Sequence, residues 1–171
     1  MPADNITPFR RPKPRPVAPQ QSGGWGFRTH RGKVVLVHVL TLIAFIAAIC
    51  GTPLIAFLLA DPSAPIIAQA RAFAWIIGIA AAIAAAVISY SSRGAAMPWA
   101  NTHHEHALRT LVIGYAIWVL AGLLTYIHGA LAIVTILIQA GVFLWAVLRT
   151  GVALVLGAMR RPVSNPHGVL F

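Results

Sequence analysis

The chain has 171 residues, of which 58% are hydrophobic and 9% are charged, with a mean hydropathy of +0.79 and a formal net charge of +10. Soluble domains carry about 25% charged residues, so this composition excludes a soluble globular fold, which would have too few charges to cover its surface. The single cysteine excludes an intramolecular disulfide framework and a CxxC site.

Residues 1–33 form a leader rich in proline, glutamine, glycine and basic residues. This composition offers too little apolar surface to offset the entropy lost on ordering, which predicts disorder, with local polyproline character near Pro12 to Pro19. The segment "RPKPRP" has two interpretations, a docking peptide or a solvated arm that assists insertion, and composition favours the arm. Trp25 and Phe27 are expected to anchor at the membrane interface.

Four long apolar runs follow the leader. A helix that crosses a bilayer needs about 20 apolar residues, and each run meets that length. The first is too long, and too far from the start of the chain, for the core of a signal peptide, so we interpret it as a retained helix. Within it, Gly51-Thr52-Pro53 is expected to kink the helix or end its regular part. The runs cover 34–60, 72–90, 111–127 and 130–148.

These runs predict an all-α fold, an integral membrane four-helix bundle with a disordered, basic, Pro-rich N-terminal leader. The transmembrane domain covers 34–159, and a cytoplasmic tail covers 160–171. Small residues recur every four positions in the first three helices, as in membrane helices that approach closely, and they serve either the bundle or a partner helix. The second helix has the least side-chain bulk and is expected to be central. The stripes are Ala47 and Gly51; Gly78, Ala82 and Ala86; and Gly114 and Gly122, with Trp118 between them.

The 13 Lys and Arg residues are distributed unevenly around the runs. All except Arg71, in the first loop, lie in the leader, the second loop or the tail, which an even number of spans places on one side of the membrane. Because basic residues stay on the cytoplasmic side, both termini are predicted to be cytoplasmic. Attraction to anionic headgroups, about 1 kcal/mol per basic residue, explains the net charge, so no nucleic-acid partner is expected.

The stretch "NTHHEHALRT", residues 101–110, groups three histidines with a glutamate and an arginine before the third span. Thr102 and Glu105 fit a capping box, in which each satisfies an orphan backbone donor at the start of the third helix. Glu105 also precedes Arg109 by four residues, the favourable order for an ion pair on a helix. These structural roles explain the presence of Glu105 without a catalytic or metal-binding function.

Histidines give a first candidate site. His103 and His106 are three residues apart on one helix face, and His38 is expected at a similar depth on the first helix. A metal or a bis-histidine haem between these helices is the functional interpretation. The alternative, in which interfacial histidines bond to headgroups or helix ends, is commoner, because no cysteine or second carboxylate completes the ligand set. No catalytic residue and no resident cofactor are predicted.

Polar side chains inside the spans are few, and no acidic residue lies within any of them. Proton-coupled transport normally uses a titratable relay, which argues against that function. A channel formed by oligomerisation would have Thr135 and Gln139 as its pore-lining candidates.

The segments "THHEHALRT", before the third span, and "LWAVLRTGVALVLGAMRRPVSNPHGVLF", from the end of the fourth, resemble a family of small inner-membrane proteins of alphaproteobacteria catalogued as a domain of unknown function. The leader segment "NITPFRRPKP" is similar too. Ala107 stands where the family usually has a polar amide, and Gly168-Val169 replaces a step that usually contains tryptophan. The resemblance implies a multi-pass protein of the bacterial inner membrane with no established enzyme activity and no cofactor. The matching residues are His103, Arg109, Thr110, Arg149, Asn165, Pro166, Leu170 and Phe171.

Arg109 and Arg149 lead to a mechanistic hypothesis. Both are expected at the same cytoplasmic depth, at the two ends of a tight hairpin that turns at His128-Gly129, so their guanidinium groups are predicted to lie side by side. There they would clamp a lipid phosphate or hold the folded-back tail around Asn165-Pro166. The alternative is that each arginine only reaches the headgroups.

Two functions therefore compete. The first is a non-catalytic structural or accessory component of a membrane assembly, whose contacts are the bilayer, its anionic headgroups and a membrane-protein partner or a second copy of the chain. The second is a histidine-based haem or metal protein, or a small-solute transporter or channel. The sequence favours the first, because the histidines form an incomplete ligand set and the spans contain few polar residues.

Overall fold

The computed structural model describes residues 29–52, 64–94 and 97–168. All four helices in these ranges are long and apolar enough to cross a membrane. The predicted all-α membrane bundle of four helices is confirmed. The helices are α1 (His30–Cys50), α2 (Pro65–Ser91), α3 (Pro98–Ile127) and α4 (Ala132–Ala158), with a 3-10 turn at Gly129–Leu131.

Helix boundaries follow from local chemistry. α1 starts behind Thr29, whose Oγ1 accepts a hydrogen bond from the Gly32 amide at 3.1 Å. It ends with Gly51 as its C-cap, as expected of the Gly51-Thr52-Pro53 segment. α2 and α3 begin with Pro65 and Pro98, because proline is preorganised for the first helical position and its missing amide hydrogen costs nothing there.

The helices differ in extent from the predicted spans. α1 begins at His30, so the end of the predicted leader is helical. α3 begins at Pro98, upstream of the start predicted at Thr102 and of the apolar span that begins at Leu111. Arg71 lies in α2, not in a loop, and its Nε donates to the Gly51 carbonyl oxygen at 3.2 Å. The predicted disorder and polyproline character of residues 1–28 and the rest of the first run, 53–60, lie outside the described residues.

The predicted capping box is wrong. Thr102 lies inside α3, whose N-cap is Met97, and no side chain caps this helix. Thr102 Oγ1 instead donates to the Trp99 carbonyl oxygen at 2.7 Å and accepts from the Val163 amide at 3.1 Å. Pro98 supplies a competing start signal upstream, because it favours the first turn of a helix.

The four helices form a ring in chain order that α1 and α4 close, and α1 also contacts α3 across the bundle. α1 is therefore the central and most buried helix of the described part, and the prediction that α2 is central is wrong. The reason lies in the outer face of α2, where Ile76, Ile83 and Val87 are each about 60% exposed and suited to lipid.

Small residues allow the close contacts of α1. A Cβ atom added to Gly78 would lie 3.2 Å from both the Ala44 carbonyl oxygen and the Ala47 Cβ. A Cβ atom added to Gly114 would collide with the ring of Phe45. Gly78 and Gly114 therefore serve contacts within the bundle, the first of the two alternatives that the sequence leaves open.

Candidate functional site

Polar residues are concentrated at the end of the bundle where α1 and α3 begin and α2 and α4 end. The members with imidazole rings form what we call the histidine cluster. The four histidines of this cluster, and the threonine and arginine beside them, are each at most 3% exposed. The cluster consists of His38 from α1 and His103, His104 and His106 from α3, with Thr110 and Arg149 beside it.

His38 and His103 form a chain of hydrogen bonds across the bundle. His38 Nε2 lies 3.0 Å from His103 Nδ1, and His103 Nε2 lies 2.8 Å from the carbonyl oxygen of Arg161. A carbonyl oxygen only accepts, so His103 Nε2 carries a proton, and the neutral ring offers Nδ1 as an acceptor to His38. The chain therefore joins α1, α3 and the segment after α4.

The other two histidines of the cluster have unused polar atoms. Both ring nitrogens of His104 and both of His106 are buried without a hydrogen-bond partner among the described residues, as is His38 Nδ1. The backbone of Arg149 faces His106 but forms no hydrogen bond of normal geometry with it. Buried polar atoms without partners are costly, which makes them candidates for binding water or a ligand.

Arg149 is held inside the bundle, with only 1% exposure. Its Nε donates to Thr110 Oγ1 at 3.0 Å, and that hydroxyl donates to the His106 carbonyl oxygen at 2.8 Å. Its guanidinium carbon also lies 5.6 Å from the centre of the Trp145 ring. Arg149 is therefore positioned inside the bundle by α3 and by its own helix.

Arg109 has a different partner. Its Nε donates to Glu105 Oε1 at 2.7 Å, which confirms the predicted ion pair. The other carboxylate oxygen of Glu105 accepts from Arg93, at the end of α2. Arg109 and Arg149 thus have different partners among the described residues, and a joint clamp of the two stays a prediction.

The segment 160–168, which we call the tail strap, turns back across this end of the bundle. Arg160 has a φ of 57°, a left-handed conformation that reverses the chain after α4. Beyond this turn, the strap receives the hydrogen bond from His103 and donates the Val163 amide to Thr102. His167 Nδ1 lies 3.9 Å from Glu105 Oε1. The strap is therefore attached along the first turns of α3.

A small cavity of about 50 Å³ lies between the tail strap and the helices. His106 and Arg149 line its inner side, and Ser164 and Asn165 line it from the strap. Asn165 Oδ1 accepts a hydrogen bond from the Gly168 amide at 2.9 Å. The structure thus brings Asn165 and Arg149 together, as the sequence predicts, whereas Arg109 does not line this cavity.

The structure also brings His38, His103 and His106 together, with ring centres 5.2 Å apart for His38 and His103 and 6.1 Å for His38 and His106. Within the described ranges, however, no three His, Cys, Asp or Glu side chains are arranged to hold a metal ion. The first two rings bond to each other instead. Binding of a metal or haem remains a prediction that this geometry does not favour.

His104 and Thr110 also belong to the site, and the sequence did not predict them there. Thr110 lies four residues after His106 on the same helix face, so helical spacing was a usable signal for it. His104 carried no such signal, because its burial depends on how α3 is rotated against its neighbours.

No family model, curated protein or solved structure matches this chain. The resemblance to the inner-membrane family therefore remains a prediction.

Proposed function

We propose that the protein is a non-catalytic accessory component of a membrane assembly in the bacterial inner membrane, and that it docks its partner at the end covered by the tail strap. The observation that carries this proposal is the strap itself. It is held by His103 and Thr102, and it covers the histidine cluster. An ordered surface over buried polar groups suits a binding partner better than a solute path.

The described polar side chains of the opposite half support the proposal. Thr135 Oγ1 donates to the Ala121 carbonyl oxygen at 2.8 Å, and Gln139 Nε2 lies 3.5 Å from the Trp118 carbonyl oxygen. Tyr115 bonds to the Ala44 carbonyl oxygen at 3.1 Å. These groups link helices to each other. Because Thr135 and Gln139 face α3, they are poor candidates for lining a pore between copies of the chain.

Charge supports a cytoplasmic position for the strap. Arg93 and Arg109 at this end have side chains 36% and 42% exposed, and Arg160 and Arg161 are exposed on the strap. Arg71 lies at the other end, beside Gly51. Because basic residues are retained on the cytoplasmic side, we propose that both termini are cytoplasmic.

Photocrosslinking in native membranes tests the proposal. A photoreactive amino acid at His167, on the exposed side of the strap, is expected to give one discrete protein adduct. The same probe at Tyr126, which is 88% exposed at the opposite end, serves as the control. The proposal fails if His167 and Tyr126 give the same pattern, or if the purified protein shows a haem absorption band, stoichiometric metal or solute flux in vesicles.

A further inference from the structure

We propose that the cavity beneath the tail strap is a binding site for a phosphate group, carried either by a lipid headgroup or by a free phosphate. The inference goes beyond the accessory function, because it assigns a ligand to the cavity and does not depend on a protein partner.

The size of the cavity suits a small group. One bound water needs about 10–15 Å³, so a cavity of about 50 Å³ has room for several waters or one small polyatomic anion. The apolar part of its lining comes from Val152, Ala153, Leu156 and Val163. An anion there would be partly shielded from water, which strengthens its hydrogen bonds.

His106 provides the strongest indication of a ligand. It is 3% exposed and lines the cavity, yet neither of its ring nitrogens has a hydrogen-bond partner in the described part of the chain. An imidazole ring that carries a proton on the nitrogen facing the cavity donates to an oxyanion. A phosphate oxygen would therefore pair a buried ring nitrogen that has no hydrogen-bond partner of normal geometry among the described residues.

Arg149 and Asn165 provide further donors. Thr110 holds Nε of Arg149, so the guanidinium group is positioned before a ligand arrives. The amide oxygen of Asn165 already accepts from Gly168, which leaves its NH2 group as the donor for a ligand. The Ser164 hydroxyl completes the polar lining. A guanidinium fork and neutral donors are the groups that recognise phosphate.

The electrostatic setting also favours an anion. The described lining of the cavity contains no carboxylate. Glu105, the nearby acid, is bound by Arg93 and Arg109 and lies outside the cavity. If this end of the bundle is cytoplasmic, anionic headgroups of the inner leaflet lie at the depth of the cavity. A soluble phosphate would bind to the same donors.

Binding measurements on the full chain, purified in detergent and stripped of lipid, test the proposal. One arm measures radiolabelled inorganic phosphate by equilibrium dialysis. The other measures retention of phosphatidylglycerol after exposure to vesicles of phosphatidylglycerol and phosphatidylcholine. Saturation in the first arm identifies a free phosphate, and retention in the second that inorganic phosphate does not displace identifies a lipid.

Variants locate the binding. Arg149→Lys keeps the charge but loses the fork, and the double substitution Ser164→Ala with Asn165→Ala removes the donors of the strap. Each is expected to weaken binding by about tenfold, equivalent to the loss of one charge-assisted hydrogen bond. Arg109→Gln is the matched control, because it removes a positive charge outside the cavity, and it should change binding by less than about twofold.

Two results would overturn the proposal. One is the absence of saturable binding in both arms, which would mean that the cavity holds only water. The other is an equal loss of binding in Arg109→Gln and in the cavity variants, which would indicate general attraction to a basic surface. If Arg149→Lys does not fold, the double variant of the exposed strap still decides between these outcomes.

Discussion

At the scale of single residues, the site depends on the difference between buried polar groups that are bonded and buried polar groups that are not. His103 uses both ring nitrogens, whereas the adjacent His104 uses neither within the described structure. Both rings are completely buried. Removal of a bonded side chain leaves its hydrogen-bond partners unsatisfied, whereas removal of an unbonded one does not. The same substitution at His103 and at His104 should therefore change the stability of the protein in opposite directions.

We therefore expect His103→Leu to lower the free energy of unfolding by about 1–3 kcal/mol, because it leaves His38 and the Arg161 carbonyl oxygen without their partner. His104→Leu removes two unsatisfied nitrogens and should be neutral or stabilising. Unfolding in increasing fractions of SDS, followed by circular dichroism, measures both. Equal destabilisation by the two substitutions would contradict the assigned hydrogen bonds.

Two glycine-to-alanine substitutions provide a second comparison. Gly114→Ala places a methyl group against the Phe45 ring, which must move, and overpacking of this kind costs about 1–3 kcal/mol. Gly151→Ala meets no atom within 4 Å, so it should be neutral or stabilise α4 by up to about 1 kcal/mol through helix propensity. Thermal denaturation in detergent compares them. If both variants are equally stable, α1 and α3 are not packed as described.

At the scale of elements, the tail strap is the feature that distinguishes this bundle from four helices with a free tail. Its attachment uses main-chain groups of Arg161 and Val163, which bond to the side chains of His103 and Thr102. The strap thus depends on side chains of α3 rather than on a helix or strand of its own. Loss of one such side chain should release it locally without unfolding the bundle.

We expect Thr102→Val to increase tryptic cleavage at the Arg160–Arg161 bond, because the Val163 amide loses its acceptor. Thr125→Val is the control, since Thr125 lies on the same helix and its hydroxyl bonds only locally, to the Gly122 carbonyl oxygen at 2.7 Å. Mass spectrometry of timed digests measures release of the tail. An identical cleavage rate in the two variants would show that Thr102 does not hold the strap.

At the scale of the whole molecule, charge is separated along the bundle. Arg93, Arg109 and the strap arginines lie at one end, and Arg71 lies at the other. A single orientation in a membrane follows if this asymmetry acts during insertion.

If this end is cytoplasmic, a fluorescent protein fused after Gly168 should fluoresce, and alkaline phosphatase fused at the same position should be inactive because it stays in the cytoplasm. The same reporters inserted at His128, in the hairpin between α3 and α4, should give the reverse result. Active alkaline phosphatase at the first position, or recovery of the chain in the aqueous fraction without detergent, would contradict the proposed topology.

The sequence by itself determined the number and class of the helices, because hydropathy and helix length are properties of continuous segments. It also determined the Glu105–Arg109 pair, since residues four apart on a helix are neighbours in any fold. The grouping of His38 with His103 and His106 was predictable as well, from their depth along two helices.

Only the tertiary structure decided how the helices rotate and which groups meet. It placed α1 at the centre, gave Arg109 and Arg149 different partners and folded the strap over His106. These features depend on packing between distant segments, on contacts such as Gly78 against Ala47, and on the reversal at Arg160. No local pattern encodes them, because the energy of each contact exists only when both segments are in place.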